Sequence, residues 1–92
     1  MIRSFRCSDT EKLFHGQRVK RFISIERAAI RKLNMLHVVT AVDQLRLPPA
    51  NRLESLKGKR RGQYSIRIND QWRLCFHFTD GNAHDVEIAD YH

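Results

Sequence analysis

The run VEIADYH, residues 86–92, closes on an acid, a phenol and an imidazole: Asp90, Tyr91 and His92. Terminal residues usually fray, so three proton-handling side chains on a strand-like run point to chemistry. Imidazole is the side chain best matched to proton transfer near neutral pH. Two earlier segments, QYSIRI and WRLCFHF, carry Arg67 and Arg73, and a planar guanidinium fork fits a pair of phosphate oxygens. No HExxH, no spaced Asp/Glu set and no Gly-rich phosphate cradle accompanies them, so neither a metal nor a cofactor is expected. The set suits binding of a phosphodiester, with cations for the charge on phosphorus beside groups able to accept or donate a proton. His92 is the candidate donor, and its own α-carboxylate favours the charged imidazole. Tyr91 suits stacking on a base or orienting the ribose, and Asp90 suits orienting its two neighbours.

Strands must position these groups. In QYSIRI, Tyr64, Ile66 and Ile68 share one face while Ser65 and Arg67 take the other. In WRLCFHF, Trp72, Leu74, Phe76 and Phe78 oppose Arg73, Cys75 and His77. In HDVEIADYH, Val86 and Ile88 oppose Asp85, Glu87, Ala89 and Tyr91. A one-residue slip turns every side chain over, so matching the apolar faces fixes the pairing. Three-residue turns at Asn69-Asp70-Gln71 and Asp80-Gly81-Asn82 set Ile66 opposite Leu74, Phe76 opposite Val86 and Leu74 opposite Ile88. Two-residue turns would put Leu74 against Glu87 and are rejected. This register sets Arg67 directly across from Arg73, a like-charge pair that costs about 0.2–1 kcal/mol without an anion between. The same residues also fit a surface salt-bridge network with Asp85 and Glu87, which is worth little.

The helices must cover the apolar face. MIRSF reads as a short opening strand. SDTEKLFH reads as a short helix with Ser8 as N-cap, Glu11 at the capping-box spacing and Gly16 as stop. Phe22, Ile25, Ala29, Leu33 and Leu36 recur at helical steps and predict one amphipathic helix with Ser24 as N-cap, leaving Arg27, Arg31 and Lys32 off the stripe. Thr40 to Leu47 reads as a helical turn stopped by Pro48-Pro49. NRLESLKGKRRG passes from an apolar anchor, Leu53 and Leu56, to a basic loop of Lys59, Arg60 and Arg61. The expected fold class is α+β: an antiparallel sheet with helices packed on one face and its polar face open.

A chain of 92 residues with 41% apolar content makes one domain, 1–92, with a modest core. Seventeen Lys and Arg against ten Asp and Glu, a net +7, call for a polyanionic partner, since each phosphate neutralised releases a counterion. Cys7 and Cys75 lack CxxC spacing and read as free reduced thiols. With no signal segment and no membrane-length apolar run, a cytoplasmic protein without a membrane partner is expected.

GQYSIRINDQWRLCFHF, with LESLKG, LPPANR and the closing EIADYH, resembles HigB-type toxins of the RelE superfamily, near their GraT branch. The likeness runs over nearly the whole chain. It implies a RelE-like, microbial-ribonuclease-like fold and a bacterial, ribosome-dependent endoribonuclease that cuts mRNA. It also implies a HigA-type helix-turn-helix antitoxin partner, with operator DNA reached only through that antitoxin. Carried over by motif, Arg73 stabilises the phosphate, Asp90, Tyr91 and His92 are catalytic, and Lys57 lies near the substrate. Relatives often carry His in the motif LHPLKG where this chain has Glu54, which either acts as base there or plays no chemical part. Lys57, Lys59, Arg60, Arg61 and Arg67 are the candidate RNA-binding residues, with Arg18, Lys20 and Arg21 as outlying grips. The alternative is a non-catalytic basic RNA- or DNA-binding domain, which would hold nucleic acid without making new mRNA ends.

Overall fold

The computed structural model describes residues 1–90, so Tyr91 and His92 lie outside the described residues. Helix α1 (Ser8–Phe14) and helix α2 (Glu26–Val38) precede a four-stranded antiparallel sheet. Its strands are β1 (Glu54–Ser55), β2 (Tyr64–Arg67), β3 (Trp72–Thr79) and β4 (Asn82–Asp90), adjacent in chain order. Short 3-10 turns fill the connections at Lys20–Ile25, Val42–Arg46, Pro49–Asn51 and Gly58–Arg60.

The apolar face of the sheet packs on the helices as the alternation requires. Phe22, Ala29, Leu33 and Leu36 are fully buried against Ile66, Leu74, Phe76 and Val86. Phe76 stacks on Tyr64 at 6.3 Å and meets Phe78 edge-on at 6.5 Å, so it is a central piece of this layer. Phe76→Ala removes a fully buried ring and is expected to cost about 3–5 kcal/mol, read as a lower urea midpoint.

Both helix starts differ from expectation. Cys7, not Ser8, is the N-cap of α1, because its carbonyl accepts the first helical bond from Glu11 N–H at 3.2 Å. The cause lies one residue earlier: Arg6 N–H is tied to the Val86 carbonyl at 3.0 Å, so the chain leaves the sheet at residue 7. Phe22 and Ile25 belong to a 3-10 turn, and α2 begins only after Ile25, so Ser24 caps nothing. Their three-residue spacing satisfies a 3-10 repeat as well as an α-helix, which is why one continuous helix was expected. Lys32 is also corrected: it is buried, and its ammonium bonds the amide oxygen of fully buried Asn51.

MIRSF forms isolated parallel bridges to β4, Ile2 with Ala83 and Phe5 with Val86, rather than a strand. Ser4 Oγ accepts from Asp85 N–H at 2.9 Å, and Thr10 Oγ1 accepts from Ile88 N–H at 3.0 Å. An otherwise open strand edge is thereby covered by the first ten residues.

The turn between β2 and β3 holds as expected, with Asn69 Oδ1 accepting from Gln71 N–H and Trp72 N–H at 2.9 and 2.8 Å. The β3–β4 turn does not. Thr79 pairs with Asn82 across a two-residue turn, Asp80-Gly81, both at positive φ. The extra residue reappears as a bulge opposite Phe76, where Asp85 takes φ 52°. Beyond the bulge the register is the expected one, with Leu74 on Ile88 and Cys75 on Glu87. A short turn and a bulge together do what one longer turn was expected to do.

Candidate active site

The expected like-charge pair is present: Arg67 and Arg73 are Cα partners across β2 and β3. The face they occupy is not open. Leu56, just after β1, crosses to it and forms a small second core with Cys75 and Ala89, roofing part of this face. Burial pushes the Cys75 thiol above its ordinary pKa, and it remains a neutral packing group.

Arg73 lies beneath this roof, with its side chain only 10% exposed. Its Nε donates to Ser65 Oγ at 2.8 Å, and its Nη2 donates to the Arg52 carbonyl at 2.6 Å and the Ser65 carbonyl at 3.4 Å. The Glu54 carboxylate, on β1, stands 3.7 Å from Nη2 and is itself exposed at its outer side. Arg67 pairs with Asp70 in the turn. The two guanidiniums therefore each have their own carboxylate, and their facing does not demand a bound anion. Neither acid is one of the pair expected from the sequence, Asp85 and Glu87.

Glu87 instead pairs with Arg60 at 2.9 Å, and Arg60 also reaches Gln63 Oε1 at 3.3 Å. Lys57, Lys59 and Arg61 are exposed around the same 3-10 turn and form a cationic rim. Asp90 pairs with Trp72 at the end of β4, as the register required, and accepts from Gln71 Nε2 at 3.1 Å. Arg67, Arg73 and Glu54 are thus gathered on one face at the end of the sheet nearest the β2–β3 turn, while Asp90, the partner of Trp72, lies on the opposite, helix-side face. Tyr91 and His92, the candidate stacking group and proton donor, lie outside the described residues.

Arg18 and Arg21 sit apart on the helix side. Arg18 pairs with Glu26 at 3.4 Å, and Arg21 pairs with Asp9 at 3.5 Å while lying over the Phe22 and Trp72 rings. Ser65 and the Arg52 carbonyl, which hold Arg73, were not anticipated. Ser65 was legible in principle, being a small polar residue two positions from Arg67 on the same face; the Arg52 carbonyl carries no sequence signal. Among the described residues, no three His, Cys, Asp or Glu side chains converge on a metal-sized site, and no helix is long and apolar enough to cross a membrane.

Comparisons with known proteins agree with this architecture. The chain is similar to YafQ from E. coli, determined as a point mutant, with TM-score 0.62 and 18% identity over 98% of this chain and 93% of that one. It is also similar to YoeB in a YoeB–YefM complex from Staphylococcus aureus, with TM-score 0.57 and 23% identity over 100% and 98% of the two chains. At these identities the likeness concerns the fold. In sequence it is 41% identical over 85 residues to Toxin HigB-1 of Vibrio cholerae serotype O1, covering 90% of both chains. It is 42% identical over 41 residues, 45% of each chain, to Endoribonuclease HigB of Proteus vulgaris. A family model described as a RelE-like toxin of the type II toxin–antitoxin system HigB matches residues 3–92. The chain therefore belongs to the HigB-like family of RelE-like toxins of type II toxin–antitoxin systems.

Proposed function

We propose that this chain, as one toxin domain over residues 1–92, is a ribosome-dependent endoribonuclease that cuts mRNA in the bacterial cytoplasm. A HigA-type helix-turn-helix antitoxin silences it. The observation that carries this reading is the pairing of a fixed guanidinium with a solvent-reachable carboxylate, Arg73 with Glu54 at 3.7 Å, within a toxin family. Membership in a toxin–antitoxin family supports the antitoxin, and the YoeB–YefM complex shows a fold relative with such a partner.

Glu54 accepts the proton of the ribose 2′-hydroxyl, and the resulting oxygen attacks the adjacent phosphorus. Arg73 stabilises the charge that builds on the non-bridging oxygens. The bond to the 5′-oxygen breaks, and His92 protonates that leaving oxygen. The products are a 2′,3′-cyclic phosphate and a 5′-hydroxyl. Asp90 orients the terminal groups, Tyr91 stacks on a base or holds the ribose, and Lys57, Lys59 and Arg61 grip phosphates, with Arg60 and Arg67 released from their acids on contact. A site this small gains from the ribosome, which holds the message in reactive geometry.

The test maps 5′ ends of cellular mRNA after brief expression, with and without a translation block. New ends that vanish under the block support the reading. Salt-sensitive RNA binding without new ends would instead favour the non-catalytic alternative. As an acid, His92 must be protonated, so the wild-type rate should fall toward alkaline pH across imidazole's usual span of about pH 5–8. His92→Asn is expected to lose that alkaline fall, measured as cleavage rate against pH.

A further inference from the structure

Asn51 is fully buried, and each of its side-chain polar atoms is engaged. Its Nδ2 donates to the Leu45 carbonyl at 3.0 Å and the Leu47 carbonyl at 3.4 Å, and lies 3.2 Å from Met35 Sδ. Its Oδ1 accepts from Lys32 Nζ, which reaches it from α2. The backbone around it is equally constrained. Asn51 N–H donates to the Pro48 carbonyl at 2.9 Å, and Arg52 N–H donates to the Pro49 carbonyl at 3.1 Å. Arg52 then adopts φ 45° and ψ 58°, a left-handed conformation that a non-glycine residue seldom takes. The carbonyl delivered by that conformation is the one that accepts Arg73 Nη2 at 2.6 Å.

The ammonium of the Lys32–Asn51 pair is costly to bury. Desolvation, and then the neighbouring Arg31, hold the Lys32 ammonium below its ordinary pKa. Among the described residues no carboxylate lies within ion-pair distance of it. A buried charge with a single neutral acceptor is an expensive core element, and apolar residues of similar volume are often as stable or more so. What the pair does achieve is placement of the segment that ends in the Arg52 carbonyl.

We propose that Asn51, anchored by Lys32, is a positioning residue that sets the orientation of the Arg73 guanidinium through the Arg52 carbonyl. This rests on the reading of Arg73 as the phosphate-stabilising cation. With Nε on Ser65 and Nη2 on Arg52, Nη1 is the guanidinium nitrogen that bonds no described residue. It is the edge left to meet a phosphate oxygen. A shifted Arg52 carbonyl turns the fork and misdirects that edge, and small misplacements of a catalytic group cost up to about 10²-fold in rate.

The experiment compares full-length wild type with the apolar double variant Lys32→Met/Asn51→Leu. Cleavage of mRNA on programmed ribosomes is measured, along with the melting temperature and the NMR cross-peak of Arg73 Nε–H. The double variant is expected to fold with a lowered melting temperature, because Asn51→Leu leaves the Leu45 and Leu47 carbonyls without their donor. Its Arg73 Nε–H signal should move, and kcat should fall by about tenfold or more with KM within about twofold. A folded double variant with an unmoved signal and wild-type kcat overturns the proposal. If that variant does not fold, Asn51→Asp replaces it, keeping the acceptor for Lys32 while losing donation to Leu45 and Leu47. A moved Nε–H signal supports the proposal there, and an unmoved one overturns it. Arg73→Ala run in parallel separates the two layers: its cleavage at the wild-type rate would sink the underlying reading, whatever the cross-peak does in the other variants.

Discussion

Replacing Arg73 by alanine should slow RNA cleavage by about 10²–10³-fold, the usual loss when a preorganised donor to a developing anion is removed. The preorganisation is visible in its bonds. Ser65 Oγ, the Arg52 carbonyl and the Glu54 carboxylate hold the fork, and its side chain is only 10% exposed. Partial burial strengthens the field it exerts on a phosphate. Arg73→Lys should recover little of the loss, because one ammonium cannot serve Ser65 and Arg52 while presenting a further N–H to substrate. Single-turnover cleavage and a thermal melt measured on the same preparations check this. A folded Arg73→Ala protein that cleaves normally would remove the cation from the mechanism.

Glu54→Gln is expected to have an effect of similar or larger size, about 10²–10⁴-fold, the range for losing a positioned general base. The amide keeps the shape of the side chain beside Arg73, whose Nη2 stands 3.7 Å from the carboxylate. It cannot take a proton from a 2′-hydroxyl. Glu54 is exposed, so the substitution should leave the urea midpoint nearly unchanged. The pair of variants therefore separates loss of base from loss of charge stabilisation. Wild-type cleavage by Glu54→Gln would place the proton acceptor elsewhere.

Much of the sheet could be read from alternation alone. Leu74 on Ile88, Ile66 on Leu74 and Arg67 across from Arg73 all follow from requiring apolar residues on one face. That requirement constrains registers between strands but not how a turn achieves them. Hence Asp80-Gly81 with a bulge at Asp85 could stand in for a three-residue turn. The second face was misjudged for a different reason. Leu56 is a single apolar residue in a basic segment, with nothing in its spacing to say that it crosses the sheet to Cys75 and Ala89. Once it does, the site is roofed and Arg73 becomes a held group rather than an exposed one. Residue type marks Lys32 and Asn51 as surface residues; only their mutual bond makes burial tolerable.

The seam between residues 1–10 and β4 joins segments remote in sequence, through bonds spanning 81 and 78 positions. Contacts so remote in sequence close late, after nearer ones have formed. During synthesis, the segment bearing Ser4 and Thr10 must wait for β4, whose bonding residues are made 78 to 81 positions later. Until β4 has emerged, the sheet of a nascent copy has no covered edge and Arg73 has no complete scaffold.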